Sequence, residues 1–128
     1  MRVFKTRPFA RWARHEGISD RVLREAVAEI EAGLVDADLG GGLYKKRVAR
    51  PGQGKSGGYR MLLACRQGER IVFVIGYAKS EKDNIDDREL LKLRLYAGHV
   101  LKQSNADLDE AIEERKLIEI DHAQKYDS

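Results

Sequence analysis

Lys45, Arg47 and Arg60 are the residues from which chemistry can first be argued. Residues 43–50 (LYKKRVAR) read as a strand with basic side chains in both registers. Side chains alternate along a strand, so Lys45 and Arg47 point one way, and Lys46 and Arg50 the other. Arg60 lies on the neighbouring strand, across a hairpin. Lys79 follows a third, apolar strand, and Lys82 comes three residues later. Tyr44, Tyr59 and Tyr77 interleave with these bases. Aromatic rings stack on nucleobases while Arg and Lys hold phosphates, a combination suited to single-stranded RNA. Lys46, Arg50, Lys55, Tyr59 and Lys82 are the candidate RNA-binding residues.

Such a face can do more than bind. RNA scission needs a base for the 2′-hydroxyl proton, positive charge on the phosphorane, and an acid for the leaving oxygen. A lysine crowded by other cations has a depressed pKa and can act as a base near neutrality. Fixed guanidinium groups supply the electrostatic stabilisation. Neither metal nor imidazole is required. The plainer reading, a solvated surface of mixed charge, stays open at this point.

Other chemical toolkits are missing. Gly54-Lys55-Ser56 invites a phosphate-loop reading, but the pattern needs a glycine five positions earlier, where Ala49 stands. A strand follows it, rather than the helix whose N-terminal amides would hold phosphate. The Gly-rich stretch 51–58 (PGQGKSGG) reads instead as a hinge that carries Lys55. His15, His99 and His122 have no neighbouring His or Cys at metal-ligand spacing, so no metal site and no cofactor is expected. A nucleophile elbow for a Ser-His-Asp hydrolase is absent. The single cysteine, Cys65, excludes an internal disulfide.

The elements that position the basic cluster follow from periodicity. Residues 2–5 suggest a short strand. In 7–16, Phe9, Trp12 and Ala13 fall at helical spacing, and Gly17 is a natural stop. Ser19 or Asp20 can cap the next helix, whose stripe is Val22, Leu23, Ala26, Val27, Ile30 and Leu34. Asp36 to Gly42 (DADLGGG) is a turn signal. Residues 59–66 alternate, with Tyr59, Met61, Leu63 and Cys65 on one face and Arg60, Leu62, Ala64 and Arg66 on the other. A tight connection leads to 70–77 (RIVFVIGY), apolar on both faces and so central in the sheet. Asp86 to about Gln103 reads as a helix with Leu90, Leu93, Ala97, Val100 and Leu101 inward, and 107–120 as a further helix. The expected fold class is α+β: a small antiparallel sheet with two N-terminal helices packed on one face and a C-terminal helix.

Composition bounds the class. With 128 residues, one domain is expected. Apolar residues make up 42% and charged ones 35%, too apolar for a disordered polymer and too charged for a membrane protein. No apolar run approaches the roughly 20 residues of a bilayer helix, and Met1–Lys5 opens no signal peptide, so a cytoplasmic location is expected. The net charge of +3 hides an asymmetry. Residues 40–82 hold ten Lys/Arg against two acids, whereas 104–128 hold three bases against eight acids. The acidic end is expected to be an extension, 104–128, to a domain at 1–103. Charge complementarity suggests that it lies on the basic face; the alternative is that it extends the helical layer.

Five stretches together resemble the RelE/HigB group of bacterial type II toxins, most closely a HigB-like branch. They are Phe9-Ala10-Arg11-Trp12-Ala13-Arg14, Asp36 to Leu43, Lys45-Lys46-Arg47-Val48-Ala49, Gly54-Lys55-Ser56-Gly57-Gly58-Tyr59-Arg60 and Tyr77-Ala78-Lys79-Ser80-Glu81-Lys82. The resemblance covers about residues 1–103, and Gly40 to Arg60 is its specific part. It implies a small sheet packed by two N-terminal helices. It implies cleavage of mRNA in the ribosomal A site, with mRNA on the ribosome as substrate and partner. It also implies neutralisation by a cognate antitoxin, a DNA-binding protein encoded next door. Carried over by position, Lys45 or Lys79 is the base, and Arg47 and Arg60 clamp the phosphate. Ser80 departs from the pattern, since many members have arginine there. Two rival readings are a ParE-like toxin that poisons gyrase on the same fold, and a basic RNA-binding module without turnover.

Overall fold

The computed structural model describes residues 1–50, 57–81 and 85–120. The chain forms β1 (Arg2–Thr6), α1 (Arg7–Glu16), α2 (Asp20–Glu31), β2 (Ala37–Gly40), β3 (Leu43–Val48), β4 (Tyr59–Arg66), β5 (Arg70–Ala78), α3 (Asp87–Lys102), α4 (Asn105–Glu113) and β6 (Leu117–Ile120). These strands make one sheet in the order β2-β3-β4-β5-β1-β6. All neighbours run antiparallel except β1 and β5, which are parallel. The α+β class and the central position of β5 match the sequence reading.

The helix boundaries are local chemistry. The Thr6 hydroxyl accepts from the Phe9 amide at 3.2 Å, Pro8 sits in the first turn, and Gly17 ends α1 at φ 73°. Ser19 caps α2 and Asp86 caps α3 in the same way. Ser104 and Asp107 form a reciprocal capping box at the start of α4. The end of α3 is closed from the sheet: the buried Arg70 guanidinium donates to the carbonyls of Val100 at 2.9 Å and Gln103 at 2.7 Å. Those carbonyls lack partners within the helix, so Arg70 locks α3 to the first residue of β5.

Both faces of the sheet are covered. On one, Phe9, Ala13, Leu23, Val27 and Ile30 of α1 and α2 pack on Met61, Leu63, Ile71 and Phe73. On the other, Leu93, Ala97, Val100 and Leu101 of α3 and Leu108 of α4 pack on Leu43, Leu62, Ala64, Val72 and Val74. The two N-terminal helices therefore share a face, as expected, and the later helices take the opposite one.

Three local differences from the sequence reading have physical causes. Ala37–Gly40 forms an edge strand on β3; the turn itself is carried by Gly40, Gly41 and Gly42, at φ 89°, 66° and 86°. The helix expected over 107–120 ends at Glu113. Arg115 then takes a left-handed conformation (φ 61°), and Leu117–Ile120 pairs with β1 as β6. The break expected at residue 103 is thus crossed by the fold. Leu108, Leu117 and Ile120 are buried, and Arg2 bridges Asp109 and Glu119 at 2.8 and 2.9 Å. Residues 105–120 extend the helical layer and the far edge of the sheet, with three strands between them and β3. Residues 121–128 lie outside the described residues.

Gly76 of β5 lies beneath the Trp12 ring. A Cβ there would come within 2.2–2.6 Å of three ring carbons. Overpacking of this kind costs about 1–3 kcal/mol. Gly76→Ala is therefore expected to lower the unfolding free energy by that amount, read as a lower urea midpoint with an unchanged slope, and a midpoint equal to wild type would contradict the packing.

Candidate functional site

The alternation of β3 decides where each cation goes. Leu43 belongs to the core under α3, and Tyr44 and Val48 pack against the core under α1 and α2. Lys45 and Arg47 share the parity of Leu43 and so face the α3 side. In β4, Arg60 shares the parity of Leu62 and Ala64, the same side. The ladder sets Arg47 directly opposite Arg60, and Arg60 opposite Tyr77 of β5. Cβ atoms of such opposed residues lie roughly 4.5–5.5 Å apart. Lys45, Arg47, Arg60 and Tyr77 thus make a compact patch across three strands.

The backbone around this patch is pinned. The Asp36 carboxylate accepts from the Arg47 amide at 2.6 Å, and the Asp36 amide donates to the Lys45 carbonyl at 2.9 Å. The Lys79 amide donates to the Gly58 carbonyl at 3.1 Å, which brings Lys79 beside the start of β4. Gly58 is required there, because a Cβ would meet the Val48 carbonyl oxygen at 2.3 Å and the Arg50 amide at 2.9 Å. Arg47 and Lys79 are exposed, Lys45 is half-buried, and Arg60 is only 5% exposed. The Arg60 guanidinium reaches the Tyr59 carbonyl at 3.5 Å. An array of guanidinium and ammonium groups on pinned strands can hold one phosphate from several sides.

The remaining candidates go elsewhere. Lys46 is 3% exposed and pairs with Glu29 of α2, on the opposite face. Tyr59 is buried on that face too, its ring edge-on to Trp12 with centroids 5.4 Å apart. The Arg50 guanidinium lies over the Tyr59 ring, 5.6 Å from its centroid. Burial first, and then the Glu16 carboxylate, push the Tyr59 phenol above its ordinary range. The structure therefore does not bring Lys46, Arg50 and Tyr59 to the patch; Lys46 ties the sheet to α2, Tyr59 ties it to α1, and Arg50 covers the Tyr59 ring. Lys55 and Lys82 lie outside the described residues. Among the described residues there is no group of His, Cys, Asp or Glu able to hold a metal ion.

Tyr77 is the patch residue that the site reading left out in favour of Tyr59. Parity along β4 already separates Tyr59 from Arg60. Placing Tyr77 opposite Arg60 needs the pairing of β4 with β5, and that register shifts between Leu62 and Leu63.

The comparisons bear on the whole fold. A family model described as the RelE toxin of the RelE/RelB toxin–antitoxin system matches residues 1–120. The match therefore includes α4 and β6. No curated protein matches the chain. Among the described residues, no helix is long and apolar enough to cross a membrane.

The adjacent cations Lys46 and Arg47 should separate cleanly. Lys46→Ala removes a buried side chain packed between β3 and α2 together with its ion pair to Glu29, and is expected to lower unfolding stability by about 1–3 kcal/mol. Arg47→Ala, at an exposed position, should stay within about 0.5 kcal/mol of wild type. Denaturant melts of the two variants check this, and equal losses would contradict the assignment of faces.

Proposed function

Because the chain belongs to the RelE toxin family, and is a toxin of a toxin–antitoxin system with a cognate antitoxin as partner, we propose that it arrests growth by cutting mRNA on the ribosome. The observation that carries this reading is the opposition of Arg47 and Arg60 on neighbouring strands, with Lys45 beside them and Tyr77 at the end of the row. Guanidinium groups on neighbouring strands can donate to one phosphate from two sides.

The chemistry runs on the substrate's own hydroxyl. One of the two lysines, Lys45 or Lys79, takes the proton from the ribose 2′-oxygen. That oxygen bonds to the adjacent phosphorus as the bond to the 5′-oxygen breaks, which leaves a 2′,3′-cyclic phosphate. The other lysine, in its ammonium form, gives a proton to the departing 5′-oxygen. Arg47 and Arg60 hold the phosphate oxygens and take up the charge that grows on them, where fixed donors contribute most. Tyr77 offers a ring at the end of the row for stacking on a base. The ribosome supplies an extended, single-stranded mRNA and fixes its position. The antitoxin, encoded next to the toxin and DNA-binding, restrains the activity, which operates in the cytoplasm.

Primer extension of cellular mRNA after induction tests the reading. Wild type should give discrete breaks within coding sequence. Removal of one fixed donor should lower cleavage by about 100-fold or more. Arg47→Ala, which is exposed, and Arg60→Ala, which is buried, should both relieve growth arrest. A fully toxic Arg47→Ala variant would refute the mechanism. So would a DNA-damage response without broken transcripts, or steeply salt-dependent RNA binding without turnover.

A further inference from the structure

We propose that the outward face of α3 is the docking surface for an acidic amphipathic helix of the cognate antitoxin. This rests on the toxin–antitoxin reading above and goes beyond it by naming the surface and the chemistry of the segment that covers it.

The inward side of α3 is fully used by Leu93, Ala97, Val100 and Leu101. Its outward side carries Arg88, Leu91, Lys92, Leu95, His99 and Lys102, all exposed and spaced three or four apart in successive turns. Leu91 is 55% exposed and Leu95 67%, one turn apart on one stripe. Asp87, exposed one turn before Leu91, is the acid that borders this stripe; the charged positions within it are basic. On the side of α3 nearer α4, the stripe borders a cavity of 410 Å³ lined by Leu93, Tyr96, His99, Ala111 and Leu117, among others. Tyr96 is apolar enough in its surroundings that burial raises its phenol above the ordinary value. His99 belongs to both stripe and cavity, so the two form one continuous relief, a ridge with a socket beside it.

The chemistry of this relief selects its occupant. Exposed leucines one turn apart, beside an apolar socket, are the complement of a helix with an apolar face, which places anchors at similar spacing. The cations Arg88, Lys92 and Lys102 around them ask for carboxylates at the flanks of that helix. A second copy of this chain would bring the same cations against themselves. A phosphate backbone would leave Leu91 and Leu95 with nothing to cover them. An acidic amphipathic helix satisfies both kinds of group at once.

The probe is the purified protein encoded by the small reading frame beside this gene, with binding measured to full-length toxin and neutralisation measured by co-expression. It should bind wild type and relieve its arrest. Leu91→Lys/Leu95→Lys changes only exposed positions; this variant should arrest growth and cut mRNA as wild type does, bind the probe at least about tenfold more weakly, and escape neutralisation. Arg88→Glu/Lys92→Glu should slow association, most strongly at low salt. A double-lysine variant bound and neutralised like wild type would overturn the docking surface. So would sedimentation showing a wild-type dimer that the same variant abolishes. A probe that fails to neutralise wild type would instead overturn the pairing with that antitoxin, a failure that is told apart by the persisting arrest.

Discussion

Two arginines set directly opposite each other on adjacent antiparallel strands are unfavourable for the sheet that contains them. Arg47 and Arg60 hold this relation, and like charges so placed repel. The register that imposes it is enforced from elsewhere. Lys46↔Met61, Lys45↔Leu62, Tyr44↔Leu63 and Leu43↔Ala64 continue the same ladder, and Met61, Leu62, Leu63, Ala64 and Leu43 are fully buried. A slip of one residue would turn every one of these core residues to the wrong face. The apolar register therefore sets Arg47 beside Arg60, and the rest of the architecture serves that register.

The two faces of the sheet divide the work. The face under α1 and α2 is closed by dense aromatic packing: Phe9 stacks on Phe73 at 5.2 Å, Trp12 lies on Gly76, and Tyr59 meets the edge of Trp12. Polar groups that reach this face are neutralised there, as Lys46 is by Glu29. The face under α3 is closed only along part of its length. Arg70 fixes the C-terminal end of α3 at the start of β5, and Arg94 donates to the Leu39 carbonyl on β2. The cation patch occupies the same face at the ends of β3 and β5 and the beginning of β4.

Much of this was legible in the sequence, and the limits have identifiable causes. The starts of α2 and α3 are legible because Ser19 and Asp86 are side-chain caps whose chemistry is local, whereas the caps Thr6 and Ser104 go unread and the helix expected from 107 begins at Asn105. Strand parity was readable because its period is two: it put Lys45 with Arg47, and it set Lys46 apart. The same parity separates Tyr59 from Arg60, yet Tyr59 was grouped with the RNA-binding residues on chain proximity and composition, which do not report faces. Tyr77 depended on a bulged register that no single strand encodes. The acidic stretch after Gln103 looked like an appendage because charge density masked two short elements. Leu117 and Ile120, with only four strand residues between turn and end, carry too weak a period to reveal β6, whose partner is more than a hundred residues away in the chain.

Lys46 and Arg60 bring these points together. They are buried almost equally, at 3% and 5% exposure, on neighbouring strands of one sheet. Burial of a cation is unfavourable unless a partner offsets it. For Lys46, α2 supplies a carboxylate from within the fold, and the charge becomes part of the structure. For Arg60, the ladder supplies a second guanidinium on one side and a tyrosine on the other. Equal burial thus hides different neighbours: Lys46 is joined to α2 by Glu29, whereas Arg60 stands in a row with Arg47 and Tyr77 and donates to the Tyr59 carbonyl, so accessibility by itself does not tell the two cations apart.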